Sequence, residues 1–246
     1  MPDQNAEAPG PPGGEEHRRI RRVYGGYQTD ERQRRIWADT PAERRSRELK
    51  WRRIHALLAS DEAKLAGAWG LDLGSGATAD ADRLSPASAP LRGIVVVDLL
   101  PERLAEAHRT NAALIPVAGD AALTPLRSAC LGVVYQSTMI SSVLDPGIRA
   151  RIFSEIGRVL RPGGVFISYD TRYPNPWNRN TRPVGLGELR RAFGGWRHST
   201  ESMTGIPQLI RFLAPRSTVA CRMVEALPPL RSHRLFLAIK PGRATA

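Results

Sequence analysis

The stretch Leu71-Asp72-Leu73-Gly74-Ser75-Gly76-Ala77-Thr78 decides the reading of the fold. The residues before its glycines, 67–73, read as a short strand. Gly74 and Gly76 then permit a tight turn and a close approach of backbone to a ligand, because neither carries a Cβ. Residues 78–84 can start a helix, whose free N–H groups and positive dipole end would face that ligand. This is the pattern of the first strand-to-helix turn of a nucleotide-binding α/β domain. It holds only two of the three glycines of a dinucleotide fingerprint, so its weight comes from the further motifs spaced downstream of it.

Moving outward, Gly93-Ile94-Val95-Val96-Val97-Asp98 is a second strand, apolar throughout as a parallel strand covered on both faces should be. Asp98 ends it, where a carboxylate can accept two hydrogen bonds from vicinal ribose hydroxyls. The plainer alternative is that Asp98 caps the helix predicted over 101–111. A third strand covers 114–118 and is followed by Gly119-Asp120-Ala121, where Asp120 can accept from an adenine amino group. A fourth strand, 129–135, leads to Gln136-Ser137-Thr138 at its carboxyl end, the place where open α/β sheets bind ligands. An amphipathic helix over 148–160 is stopped by Arg161-Pro162-Gly163-Gly164, and the fifth strand, Val165 to Tyr169, is closed by Asp170.

The flanks are less regular. Residues 1–16, rich in Pro, Gly, Asn and Glu, read as a disordered tail without the apolar run of a signal peptide. Arg18 to Arg22 is basic, and Tyr24-Gly25-Gly26-Tyr27 breaks it. Helices are predicted over 29–38 and 41–58, with Pro41 suited to a first turn. They either pack on the sheet edge or cover the ligand, with Tyr24 or Tyr27 reaching into the pocket. Residues 171–180 form a loop rich in Tyr, Pro, Asn, Trp and Arg, a short helix spans 186–193, and residues 233–240 read as the last strand. Residues 208–221 fit either a strand or a helix.

Hydrophobic content of 41% suits a protein with a real core, and no apolar run approaches the ~20 residues of a membrane-spanning helix. Cys130 and Cys221 form neither a metal spacing nor a disulfide framework, which suits a reduced cytoplasm. The net charge of +12 comes from 36 basic and 24 acidic residues. The basic residues are mixed with acidic ones along the chain, which reads as solvated faces; an anionic partner is the alternative.

The Gly-x-Gly turn, the acidic end of strand two, Gly-Asp after strand three, and Leu-Arg-Pro-Gly-Gly before strand five occur in order. Together they resemble the class I S-adenosylmethionine-dependent methyltransferases, well over residues 67–170 and loosely beyond. The resemblance implies a Rossmann-like α/β fold of seven strands ordered 3-2-1-4-5-7-6, with only strand seven antiparallel. It implies S-adenosyl-L-methionine as cofactor. Asp72, Gly74, Ser75 and Gly76 match the motif that lines its methionine part. Asp98 and Leu99 match the ribose and adenine contact, Asp120 and Ala121 a further adenine contact, and Gln136 the position near the sulfonium. Tyr135-Gln136-Ser137-Thr138 lacks the Asn- or Asp-Pro-Pro-Tyr segment of relatives that methylate nitrogen in DNA and protein, which argues for another acceptor.

The segments 169–178 and 227–233 are similar to methyltransferases of bacterial polysaccharide and natural-product biosynthesis. There Tyr173 and Trp177 offer flat faces, Arg172 a bidentate fork, and Asn178 a partner for hydroxyls, with Tyr27 reaching in from the N-terminal side. Tyr173 and Trp177 could equally pack the loop on the sheet. Methyl transfer needs acceptor, methyl and sulfur in line, and a hydroxyl acceptor benefits from a base. The candidate bases are Asp170, His198 and His233. No cluster of metal ligands stands out, so a metal-independent O-methyltransferase acting on a small molecule is the expectation. An RNA methyltransferase, an NAD-dependent oxidoreductase and a non-catalytic cofactor-binding protein are the rivals. The expected layout is a tail over 1–16, a helical lid or extension over 17–62, the cofactor-binding domain over 63–241 and a short tail over 242–246.

Overall fold

Runs of β-branched and other apolar residues become the strands: β1 (Trp69–Leu73), β2 (Gly93–Asp98), β3 (Leu114–Ala118), β4 (Leu131–Ser137) and β5 (Leu160–Thr171), followed by β6 (Arg197–Gly205) and β7 (Arg231–Ile239). The computed structural model describes residues 14–26, 40–58, 65–76, 81–85, 90–176 and 178–242. One sheet holds all seven strands in the order β3-β2-β1-β4-β5-β7-β6. Neighbours pair in parallel from β3 across to β5, whereas β7 runs antiparallel to both β5 and β6. This is the Rossmann-like class I methyltransferase fold implied by the resemblance.

The described helices are α1 (Gly14–Gly25), α2 (Pro41–Leu58), α3 (Pro101–Thr110), α4 (Pro146–Val159), α5 (Leu186–Ala192), α6 (Pro207–Leu213) and α7 (Thr218–Ala226). Proline opens α2, α3, α4 and α6, where its missing N–H costs no intrahelical bond. The Asp145 side chain accepts from Ile148 N at 2.8 Å and caps α4.

Two apolar layers sandwich the sheet. On one face Ile152, Phe153 and Ile156 of α4 pack with Leu71, Val134, Phe166, Phe193 and Phe236. On the other, Trp51, Ile54 and Leu58 of α2 pack with Val96, Val133, Tyr135, Ile167 and Tyr169. Truncating such a side chain to alanine typically costs about 2–5 kcal/mol.

Several sequence expectations change. The basic segment 18–22 belongs to α1, which begins at Gly14, inside the expected tail. Of the helix expected over 78–84, residues 81–84 form one 3₁₀ turn, and 78–80 lie outside the described residues. The helix expected over 29–38 also lies outside them. The ambiguous stretch 208–221 falls in α6 and α7, separated by Pro215. Strand β6 was not legible at all: its first four residues are exposed on the sheet edge, so Arg-His-Ser-Thr shows no apolar alternation.

Candidate active site

The strand order reverses between β1 and β4, so a crevice opens at the carboxyl ends of these two strands, the usual ligand site of such sheets. Gly74 N and Ser75 N donate to Val97 O at 2.7 and 3.2 Å, which pins the turn to the end of β2. Gly74 has φ +72° and Gly76 φ +63°, both in the left-handed region. A Cβ at Gly74 would lie 2.1 Å from Met139 Cγ, and one at Gly76 would lie 2.6 Å from Arg103 Nη2. A side chain at either position is strained by the backbone, and at Gly74 it would also run into Met139.

Asp98 joins this turn to the next helix. Its Oδ2 accepts from Gly76 N at 2.9 Å and its Oδ1 from Leu100 N at 2.9 Å. Asp98 does not cap α3, whose N-cap is Leu100 without a side-chain cap bond; it orders the approach to that helix, and each carboxylate oxygen keeps a second acceptor site. Leu99 beside it is half-buried. Asp120 follows β3 at the same edge; its Oδ1 accepts from Ala122 N at 2.8 Å, and its Oδ2 lies 3.3 Å from His17 Nε2. Ala121 is half-buried next to it. Asp72 is buried on the sheet face opposite Leu71 and Leu73, where its charge acts on Tyr135. Ser75 is also buried, its Oγ donating to Gly76 O at 3.4 Å.

Helix α1 spans this edge. Leu144 N donates to Glu16 Oε1 at 2.6 Å, Arg19 Nη2 donates to Ser142 O at 2.5 Å, and Tyr24 OH donates to Asn180 O at 3.4 Å. Together with His17 on Asp120, these contacts carry α1 from the end of β3 to the loop after β5. Tyr27 lies outside the described residues.

Gln136 does not face the crevice. It is fully buried, and its Nε2 donates to Ser168 Oγ at 2.5 Å and Asp170 Oδ2 at 3.3 Å. Its Oε1 accepts from Met139 N at 3.1 Å and Ile140 N at 3.4 Å. The amide therefore orders the turn after β4 rather than meeting a ligand. Asp170 is its partner in this task, accepting also from Ser141 N at 3.1 Å and Thr171 N at 2.8 Å. Burial pushes the Asp170 carboxyl up, against the pull of these donors.

A polar cluster of which sequence reasoning singled out only His233 sits on the α2 side of the same edge. Tyr169 stacks on His233 with ring centroids 4.7 Å apart and planes within 2°. Its hydroxyl donates to Thr204 Oγ1 at 2.8 Å, and its carbonyl accepts from Thr138 N at 2.8 Å. Thr138 and Thr204 have φ of 56° and 62°, strained values for β-branched residues. Tyr169 thus links two strained strand ends. The Lys50 ammonium lies 5.5 Å from the Trp51 and Tyr135 ring centroids and 5.3 Å from that of Tyr169. Burial, reinforced by the Lys50 charge, pulls His233 down to about 4, so its imidazole is neutral at pH 7. Ser232 Oγ lies 2.8 Å from its Nδ1. The available signal for Lys50 was its place four residues before Ile54 and eight before Leu58, a lone cation on the apolar stripe of α2.

The loop residues divide. Arg172 Nη1 donates to Pro228 O and Arg231 O, each at 3.1 Å, and its guanidinium lies 4.7 Å from the Tyr173 ring centroid. Tyr173 is exposed. Asn178 Oδ1 accepts from Asn180 N at 3.0 Å, shaping its own turn. The Trp177 side chain lies outside the described residues. His198 is excluded from the site. Its register partner is Ala238, near the amino-terminal edge of β5, because β6 runs parallel to β5 and begins at that edge. It is exposed and stacks on Phe236 instead. Among the described residues, no three His, Cys, Asp or Glu side chains group as metal ligands.

The family model described as "Methyltransferase domain" matches residues 71–168, from β1 into β5. Residues 71–168 thus match a methyltransferase domain. With that domain goes its methyl donor, S-adenosyl-L-methionine. The donor set fits it: Asp98 offers acceptors for ribose hydroxyls and Asp120 one for an adenine amino group, while the glycines clear the backbone between them. No curated protein matches the chain in sequence. Among solved structures, the YcgJ protein of Bacillus subtilis aligns at 15% identity over 75% of this chain and 97% of its own, with a TM-score of 0.55. Geranyl diphosphate C-methyltransferase of Streptomyces coelicolor, solved with Mg²⁺, geranyl diphosphate and S-adenosyl-L-homocysteine, aligns at 15% identity over 76% of each chain, TM-score 0.54. The [4+2]-cyclase SpnF aligns at 17% identity over 77% of this chain and 81% of its own, TM-score 0.55. At such identities these likenesses establish the fold alone.

Proposed function

We propose that the protein transfers a methyl group from S-adenosyl-L-methionine to an oxygen of a small-molecule acceptor, a sugar-containing or natural-product biosynthetic intermediate. The observation that carries the acceptor half of this reading is the neutral His233, stacked on Tyr169 at the carboxyl edge where β5 and β7 meet. A neutral imidazole can take the proton of an acceptor hydroxyl, whereas Asp170 is committed to three donors and shapes the turn after β4. The base role therefore passes from Asp170 to His233.

When bound, the cofactor supplies an electrophilic methyl group on a sulfonium. The chain's own residues hold and align. The Gly74–Gly76 turn allows close backbone approach, Asp98 accepts from the ribose hydroxyls, and Asp120 accepts from the adenine amino group with Leu99 and Ala121 against the ring. Gln136 acts indirectly, through the turn it orders. Arg172, Tyr173, Trp177, Asn178 and Tyr27 hold the acceptor in this reading, with Arg172 already fastened to the start of β7. Two free cysteines support a cytoplasmic setting.

The test is radiolabelled methyl transfer to a panel of hydroxylated small molecules, with products sorted by the atom methylated. The expected result is O-methylation, with kcat lowered on the order of 10²–10⁴-fold in His233→Gln. N-methylated products alone, or a variant as fast as the wild type, contradict the assignment. Because a cyclase shares this fold, a complete absence of methyl transfer across the panel would point to a different use of the bound cofactor.

A further inference from the structure

Seven large apolar side chains are exposed among the described residues; Ile115 and Leu123 lie at the β3 edge of the sheet, and the other five gather elsewhere. Phe212, Val219, Met223 and Leu227 lie on or just after α6 and α7, at 53–66% exposure, and Tyr173 is close by. Val219 and Met223, four residues apart, share one face of α7, and Leu227 follows at its C-cap. The opposite faces of both helices are occupied: Ile210 and Cys221 are buried against Ala42 of α2, with Leu213, Ala214 and Val224 packed around them. Phe212, Val219 and Met223 therefore turn away from the body. Arg172 extends the patch, because it bonds Pro228 O while its guanidinium lies against Tyr173.

The C-terminal third of the chain, which includes this hairpin, holds most of the excess charge. Residues 171–242 contain twelve basic and three acidic residues, or +9 of the total +12. All three acids are neutralised by ion pairs to arginines from earlier in the chain: Glu188 with Arg149, Glu201 with Arg53, and Glu225 with Arg45. Arg216 and Arg222 are exposed within the hairpin, and the Arg216 guanidinium lies 4.3 Å from the Phe212 ring centroid. The excess charge thus lies in the C-terminal third rather than being mixed with acids along the whole chain; within the hairpin Arg211 pairs with Glu43, and Arg216 and Arg222 supply the exposed charge.

We propose that the α6–α7 hairpin, with Leu227 and Tyr173 beside it, is a docking surface for an anionic lipid bilayer. Apolar side chains projecting from a basic rim are what interfacial membrane binding requires, and such docking needs no spanning helix. None of the described helices is long and apolar enough to span one. A nucleic acid is held by cationic grooves and flat aromatic platforms; Phe212 and Tyr173 are flat, but each already carries an arginine against its ring, and Val219, Met223 and Leu227 offer no platform. A second copy of the chain would bring Arg216 and Arg222 against their own counterparts. The hairpin and Leu227 play no part in the methyl-transfer reading, whereas Tyr173 and Arg172 are also placed against its acceptor, so the test varies hairpin positions alone.

The test is vesicle flotation with the full chain, using phosphatidylcholine alone and phosphatidylcholine with about a third phosphatidylglycerol. The wild type is expected to float with the anionic vesicles and less with the neutral ones, and added salt should weaken it. Phe212→Glu with Met223→Glu should reduce that binding by at least about tenfold. Both positions are exposed, so the melting temperature should hold. Absence of binding to anionic vesicles, or equal binding by the double variant, overturns the proposal. So does vesicle-independent binding of a short single-stranded RNA, which would make this a nucleic-acid surface. A wild-type dimer dissociated by the two substitutions, with no flotation, would make it an interface between copies.

Discussion

At the residue scale, the site depends on groups whose surroundings dictate their chemistry. His233 is the clearest case. Its pKa falls from 6.5 in the unfolded chain to about 4 in the fold, through burial and then the Lys50 charge. Between those values the unfolded state binds more protons than the folded one. The stability that His233 contributes is therefore complete above pH 6.5 and is lost as pH falls toward 4, by an amount on the order of 3 kcal/mol. Asp170 works in the opposite sense, since its raised pKa favours the folded state at low pH and loses that advantage as pH rises. Comparing the wild type with His233→Phe cancels the Asp170 contribution and keeps an aromatic ring on Tyr169. The wild type should lose more melting temperature than the variant between pH 7 and pH 4; parallel profiles would contradict the assignment. These relations were only partly legible in the chain. The positions of Asp98, Asp120 and His233 could be found because each marks the carboxyl-edge end of a strand. The commitment of Gln136 and Asp170 to one another could not, because it requires Ser168 and the main chain of 139–141 to be brought against them.

At the scale of elements, one arginine clasps the segments that frame the site. Arg149 of α4 is fully buried. Its Nε donates to Val143 O at 2.7 Å, its Nη2 to Arg182 O at 2.5 Å, and its Nη1 pairs with Glu188 at 3.1 Å. It thereby ties the connection after β4 to the loop that leads into α5. Replacing it with methionine keeps much of the volume but removes the partner of three carbonyls, Val143 O, Arg182 O and Pro183 O, and of the Glu188 carboxylate. Chemical denaturation of Arg149→Met should show a loss of roughly 3 kcal/mol or more; a change within 0.5 kcal/mol would mean that water substitutes for the guanidinium. The strands that frame this clasp were legible for a physical reason. β1, β2, β4 and β5 are covered on both faces, so each reads as an apolar run. The edge strand β6, the short helices α6 and α7, and the polar α1 carry no such signal. The burial of α6 and α7 is confined to Ile210 and Cys221, and α1 buries no residue. What holds α1 is specific bonding to Asp120, Ser142 and Leu144, which no periodicity reveals.

At the scale of the whole molecule, the reversal of strand order between β1 and β4 places a cofactor crevice at one end of the sheet. α1 lies along that end, and the basic, apolar hairpin of α6 and α7 projects from the connection between β6 and β7. The central claim is that the crevice takes S-adenosyl-L-methionine through Asp98, rather than a nicotinamide dinucleotide through the same Gly-x-Gly turn. The most direct test is calorimetric titration of S-adenosyl-L-homocysteine, and separately of NAD, into the wild type and into Asp98→Asn and Asp98→Ala. The account predicts binding of the homocysteine compound and not of NAD, with Asp98→Ala weaker by at least about tenfold, or ~1.4 kcal/mol. Asp98→Asn, which keeps one acceptor for Gly76 N, should fall between. Binding of NAD in place of the homocysteine compound, or equal affinity across the three proteins, would contradict it.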